Sequence, residues 1–347
     1  TATRYGANAP LYGIDSAFIN SSSINSTKAK GAGIAVYGQA TYAITSKVDI
    51  TAGLRYDYEH KKQSVLGEFQ QDPDPNPQFT TRPDTSATTQ YNAFQPKVSL
   101  GFHANESSLL FITYSKGYRA GGLTPLSSQP NEPALYAFKP EYSNNIEIGL
   151  KNSFIQNRLL INLSAFYTTV TNAQVPTLVL PDALTITKNT GKLTSKGFEA
   201  EISSTLIKCL EVNYSFGYTG AKYNRLKVPQ NGSEADLKGA HQIFTPDITS
   251  MLAAQYSLPV LKKRDVNLVI RGEWKYLGTQ YFNLANTFKQ TPYSLLNTRF
   301  GITSKIYEIM FYGRNLAGKK YIAYAYDFGG VHLGDPKTYG ISLKLTL

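Results

Sequence analysis

The feature that most constrains this chain is a period-two alternation of apolar and polar residues, which recurs from near the start to the last residue. In the stretch from Val48 to Glu59, one set is Val48, Ile50, Ala52, Leu54, Tyr56 and Tyr58, and the other is Asp49, Thr51, Gly53, Arg55, Asp57 and Glu59. Successive side chains of a strand point to opposite faces, so such a segment is greasy on one side and wet on the other. The same split runs through Leu210–Thr219, Asp265–Tyr276 and Thr338–Leu347. Read this way, the sequence predicts about thirteen strands, near 30–44, 47–60, 91–103, 108–119, 142–154, 158–172, 195–204, 209–221, 246–258, 265–280, 293–303, 307–316 and 337–347.

The connections alternate in length. Short turns are predicted at Thr45–Ser46, Asn105–Ser107, Ile155–Asn157, Leu206–Lys208, Leu261–Lys263 and Lys305–Ile306, and long connections at 61–90, 120–141, 173–194, 222–245, 281–292 and 317–336. Strict alternation puts every short turn at one rim and every long loop at the other, the layout of outer-membrane barrels. The fold class is therefore all-β, a transmembrane antiparallel β-barrel. A soluble β-sandwich or solenoid is the competing architecture, but a sandwich rarely carries six long loops on one side, and no solenoid period is present.

Composition agrees with this reading. The chain has 25 Tyr and 17 Phe against 2 Met and 1 Trp, a mix that suits pleated surfaces better than helices. No apolar run approaches the roughly 18 residues a membrane helix needs, whereas a barrel tolerates the mean hydropathy of −0.27 because half of each strand is polar. The net charge of +11 is spread mostly singly, without the basic clusters or recognition helix of a nucleic-acid binder, so no nucleic-acid partner is expected. One cysteine, Cys209, excludes an internal disulfide. His60, His103, His241 and His332 lack metal-ligand spacing, and no nucleophile elbow is present. Neither metal, cofactor nor catalytic residue is expected.

Four segments resemble TonB-dependent outer-membrane receptors. They are AVYGQATYAITSKVDITAGLRYDY at Ala35–Tyr58, YSKGYRAGG at Tyr114–Gly122 with PEYSNNIEIGLKN at Pro140–Asn152, SKGFEAEIS at Ser195–Ser203, and the stretch from Tyr312 to Leu347 with its Gly-Asp-Pro-Lys-Thr-Tyr-Gly opening of the last strand. The resemblance implies that residues 1–347 are the C-terminal portion of a 22-stranded barrel, with the N-terminal plug, the TonB box and the first strands upstream of Thr1. It implies energy-coupled import of a scarce nutrient, foremost a ferric siderophore, with a TonB-type protein, outer-membrane lipid and lipopolysaccharide as partners. Passive porins, adhesins and barrel enzymes are the alternatives. One departure is the terminal Leu347, where barrels of this class usually end in an aromatic.

On this reading Arg55, Asp57, Arg271, Glu273, Lys275, Arg299, Arg314 and Lys344 line the lumen, because they alternate with the apolar set. Tyr56, Tyr58, Trp274 and Tyr276 fall near strand ends on the lipid face, where an aromatic girdle belongs. Arg119 and Tyr136 are the candidate ligand contacts. Arg119 opens a long loop on the inward parity, its planar guanidinium suits a carboxylate, phosphate or catecholate oxygen, and Gly121 and Gly122 let the backbone bend over the mouth.

Overall fold

The computed structural model describes residues 2–7, 18–125, 135–179, 184–230, 233–261, 265–326 and 330–346. Among them one antiparallel sheet runs in simple sequence order. Its strands are β1 (Ala2–Tyr5), β2 (Ser21–Ala43), β3 (Val48–Gln71), β4 (Phe79–Asn105), β5 (Ser108–Arg119), β6 (Glu141–Phe154), β7 (Leu159–Val179), β8 (Leu184–Ser204), β9 (Leu210–Gln230), β10 (Ile248–Leu261), β11 (Val266–Leu277), β12 (Tyr293–Thr303), β13 (Tyr307–Arg314) and β14 (Thr338–Leu345). Every predicted strand is present as one of β2 to β14, and β1 is an additional short strand. The predicted turn residues Lys262 and Lys263, and the terminal Leu347, lie outside the described residues.

The register explains why each strand alternates. Across β3, β4, β5 and β6, Ile50 stands opposite Leu100, Leu100 opposite Ile112, and Ile112 opposite Ile148. Farther along, Tyr256 faces Ile270, Ile270 faces Phe300, Phe300 faces Phe311 and Phe311 faces Ile341. These cross-strand pairs place apolar side chains side by side on one face, which leaves a continuous apolar belt from β2 to β14 exposed on the outside of the chain. A soluble protein does not leave such a surface uncovered. A lipid-facing barrel wall must.

The long connections differ from their prediction. Most of 61–90 is strand, because β3 and β4 continue their ladder as far as Phe69–Phe79 with irregularities near Gly67. Most of 173–194 is likewise the upper part of β7 and β8, and β9 reaches Gln230 and turns back into a short strand at Ser233–Asp236. Polar residues predominate on both faces of the arm of β3 and β4, so apolar alternation is lost there. Runs such as His60-Lys61-Lys62-Gln63-Ser64 therefore carry no strand signal although their backbone ladder is complete. Among the described residues β1 and β14 pair on one side only, so the sheet remains open.

Candidate functional site at the mouth and inner wall

The face opposite the belt is polar, and all eight predicted lumen positions lie on it by register. Arg55 donates to Asp57 through Nε and an Nη atom at 2.7 and 2.6 Å, and Gln95 donates to the same carboxylate at 2.5 Å. Arg271 donates to Glu273 at 2.7 Å, and Arg299 reaches Gln255 on β10 at 3.3 Å. Lys344 stands opposite Glu308, and the Arg314 guanidinium lies 5.1 Å from the centre of the Tyr312 ring. Lys275 follows Glu273 two positions along β11. Four of the eight charges thus neutralise one another two by two. Spacing of i and i+2 on one strand face makes that contact possible.

Above the belt the wall is uneven. β5 and β6 stop at Arg119 and Glu141, whereas β3, β4, β7 and β8 continue upward. The connection between β5 and β6 fills the gap with a small hairpin, Gly122–Pro125 against Leu135–Phe138. It is fastened on both sides. Lys61 donates to the Gly121 carbonyl at 2.8 Å and the Tyr91 hydroxyl to the Phe138 carbonyl at 2.7 Å, from β3 and β4. From β7, the buried Gln174 amide donates to the carbonyls of Ala120 at 2.8 Å, Lys139 at 3.2 Å and Arg119 at 3.4 Å, while Glu141 accepts from the Gln174 backbone N–H at 2.7 Å. Asn189 on β8 donates to the Lys139 carbonyl at 2.8 Å and accepts from its N–H at 2.5 Å.

Arg119 ends β5 and Tyr136 lies on the hairpin. Arg119 is exposed, opposite Glu141 in register, and its side chain has no hydrogen-bond or ion-pair partner among the described residues. Tyr136 sits on the hairpin opposite Thr124 and is 39% exposed. No hydrogen bond or ring contact joins the two among the described residues.

The glycines play a part other than the expected one. Neither Gly121 nor Gly122 has a positive φ. A methyl group at Gly121 would collide with the Phe138 carbonyl and the Tyr91 ring, and one at Gly122 would lie 2.6 Å from the Phe138 ring. They are required for close packing, not for the bend.

A second part of the mouth was not anticipated. Beyond the belt the inward face of β7, β8 and β9 becomes apolar, and Ala173, Val175, Leu193, Tyr223, Leu226 and Val228 form a buried cluster closed by Leu237, Ala240 and Leu284. Register irregularities turn these residues onto one side, with Asn172 at φ 54° and an extra residue in β9 opposite Lys192 and Leu193. Burial first, then the nearby Glu141 charge, raises the Tyr223 phenol above its usual range. Beside it, the His241 ring rests on Tyr281 with ring centres 5.0 Å apart, and the His241 backbone N–H donates to the Asn286 side-chain oxygen at 2.6 Å. Burial, then the Lys222 charge, holds this imidazole below its usual range, with Asp247 opposing.

An open antiparallel sheet with a lipid-compatible outer belt, a charged inner face and tall, tethered arms at one rim defines a segment of an outer-membrane β-barrel. Residues 1–316 match the family model described as TonB dependent receptor-like, beta-barrel, and the chain belongs to that family. Among solved structures it is similar to the ferric yersiniabactin uptake receptor of Yersinia pestis, with TM-score 0.75, 20% identity, 95% of this chain and 48% of that one. A siderophore receptor of Acinetobacter baumannii gives TM-score 0.71 at 18% identity, covering 91% of this chain and 43% of that one. The metal-pseudopaline receptor of Pseudomonas aeruginosa is 21% identical over 76% of this chain and 35% of its own length. The chain therefore spans half or less of these relatives.

Proposed function

We propose that this chain is the larger part of the barrel wall of an energy-coupled outer-membrane receptor that imports an iron chelate, most directly a ferric siderophore. Membership of the receptor-barrel family carries the reading, and the mouth supports it. In the complete protein, upstream strands complete the barrel between β1 and β14, a plug occupies the lumen against Arg55, Asp57, Arg271, Glu273, Lys275, Arg299, Arg314 and Lys344, and a TonB-type protein engages the segment before the plug. The unsatisfied edges of an open sheet are intolerable in hydrocarbon, which favours such completion. The protein works by binding and gating, without bond-making chemistry.

Recognition falls at the mouth. Arg119 presents five N–H donors in a plane, stands at the upper end of β5, and has no ion-pair partner among the described residues, so its charge is available to an anionic chelate. Tyr136 offers a ring and a hydroxyl from the tethered hairpin. The surplus positive charge of the chain steers anions toward the mouth over about 8 Å at physiological salt.

The test is accumulation of radiolabelled iron from defined carboxylate and catecholate chelates by cells carrying the complete receptor or its Arg119→Ala and Arg119→Lys variants. Reduced chelate affinity in both variants, at normal surface abundance, is expected. Unchanged affinity in both removes Arg119 from the site, and iron accumulation equal to that of receptor-less cells with every chelate refutes the substrate class.

A further inference from the structure

One strand edge of the wall is left without a neighbour above the belt. β4 pairs with β5 only between Asn105 and Lys97, whereas its ladder with β3 continues to Phe79. The His103 N–H bonds the Lys47 carbonyl, so odd-numbered residues of β4 direct their backbone groups to β3 and even-numbered ones to the β5 side. Beyond the last β5 pair, the N–H and C=O groups of Ser86, Thr88, Gln90, Asn92 and Phe94 therefore point away from β3. Among the described residues no backbone group of another element bonds to them. The hairpin at the mouth does not cap this edge. It is fastened to odd-numbered side chains, Lys61 of β3 and Tyr91 of β4, and forms a separate sheet of its own.

Open strand edges are normally blunted by charge, proline or a bulge. Thr85–Pro96 holds no charged residue. Its limits are marked instead. Pro96 falls on the edge parity, where it offers no N–H, and register irregularities near Gly67 and Arg82 interrupt the ladder at the upper end. Between them lies a regular, uncharged edge, and only another extended polypeptide carries donors and acceptors at matching spacing. The neighbouring charges narrow the choice. Residues directly opposite share a face, so Lys62 stands in one row with Lys30 and Thr88, and Lys28 in the next with Ser64 and Ser86. None of these three lysines has an ion pair among the described residues. On the other face of the same strands, Lys61 is matched with Glu59 at 3.1 Å and Arg55 with Asp57 at 2.6 Å. A strand added to the edge thus meets unmatched positive charge on one face only. A second copy of this chain would bring more of the same lysines, whereas a strand bearing carboxylates would neutralise them.

We propose that the β4 edge from Ser86 to Phe94 docks an extended, carboxylate-bearing segment of a partner protein outside the cell, which adds to the sheet as one more strand. The segment bonds to the free N–H and C=O groups of β4, and its acidic residues occupy alternate positions on the side of Lys30 and Lys62. Tyr91, within the docking stretch, holds the Phe138 carbonyl, so the partner is brought beside the mouth hairpin. The site depends on the orientation of the wall with its long arms outward, and not on the identity of the imported nutrient.

The experiment titrates the complete, detergent-solubilised receptor with a fluorescein-labelled peptide of about twelve residues alternating Thr and Glu, long enough to span the edge. Anisotropy is expected to show saturable binding, and hydrogen exchange within 84–96 to be fast in the free receptor and slowed by the peptide. Thr88→Pro combined with Asn92→Pro removes two edge donors without touching the ladder to β3, and is expected to weaken binding at least about tenfold. Lys30→Ser combined with Lys62→Ser is expected to weaken it about threefold or more. A Thr-Lys peptide, and the Thr-Glu peptide N-methylated on every amide, are expected to bind at least about tenfold more weakly. Heat-dependent electrophoretic mobility establishes that each variant is folded. Iron accumulation per folded receptor stays at the wild-type level in the absence of peptide, which separates this site from the import reading. The proposal is overturned if wild type shows no saturable binding, or if the double-proline variant, the Thr-Lys peptide or the N-methylated peptide binds as tightly. It is overturned equally if the edge amides are already protected in the free receptor, whether by its own residues 126–134 or by a second copy.

Discussion

Replacing Ile270 by Arg places a charge near the middle of the lipid belt, and the size of its effect follows from the register. Ile270 stands between Tyr256 and Phe300 on the apolar face and is 49% exposed in the isolated chain, so in the membrane its free side contacts lipid. From Val266, next to the short turn, to the girdle residue Tyr276, ten residue steps of about 3.3 Å at a tilt of about 40° cover roughly 25 Å of depth, the height of the apolar band. Ile270 is four steps along and therefore within a few ångströms of the midplane. Truncation to Ala removes apolar contact worth up to about 2 kcal/mol. Arg adds about 2–4 kcal/mol more at that depth. Equilibrium unfolding of the complete receptor from phosphatidylcholine vesicles, with wild type, Ile270→Ala and Ile270→Arg compared, measures the difference. Ser342→Arg, on the opposite face of β14, is the control and is expected to change stability by about 0.5 kcal/mol or less. A difference between the Arg and Ala variants below about 0.5 kcal/mol, or an equal cost for Ser342→Arg, would refute the assignment of faces.

Three further outcomes test the mouth. Leu226 is fully buried, so Leu226→Ala is expected to cost about 2–5 kcal/mol locally, read as lost amide protection in the upper parts of β7, β8 and β9, with the belt strands unaffected. Gln174→Ala strips a shared donor from three carbonyls and is expected to loosen the hairpin by about 1–3 kcal/mol, read as faster proteolysis within 120–140. The depressed pKa of His241 favours its neutral form in the folded mouth. Its stabilising contribution is thus complete above the unfolded value of about 6.5 and is lost as pH falls through the lower folded value. Protection of the His241 amide, corrected for intrinsic exchange, should fall on acidification in wild type and not in His241→Phe.

The membrane-crossing part of the fold was legible because lipid on one side and water on the other force alternation. Ile50, Leu100, Ile112 and Ile148 can be assigned to one face before any register is known. The arms were not legible for the complementary reason. Lys61, Gln63 and Ser64 meet water or polar neighbours on either face, and no pattern distinguishes their ladder from a loop. At the mouth, strand parity and loop position single out Arg119 and Tyr136 as candidates. Gln174 and Asn189, which hold the hairpin, could not, because their partners are backbone carbonyls far away in sequence. The inner apolar cluster was hidden by irregularities at Asn172 and Asn224, each of which reverses the parity on which the reading depends.

If this wall belongs to an energy-coupled receptor and not to a passive pore, import depends on the inner-membrane potential. The most direct measurement is uptake of a radiolabelled ferric chelate by cells carrying the complete receptor, with and without a protonophore that collapses the inner-membrane potential. The chelate is expected still to bind at the cell surface while its transport into the cell envelope stops, and deleting the TonB-type partner is expected to have the same effect. Transport across the outer membrane that continues undiminished in both conditions, rising linearly with chelate concentration, would contradict it.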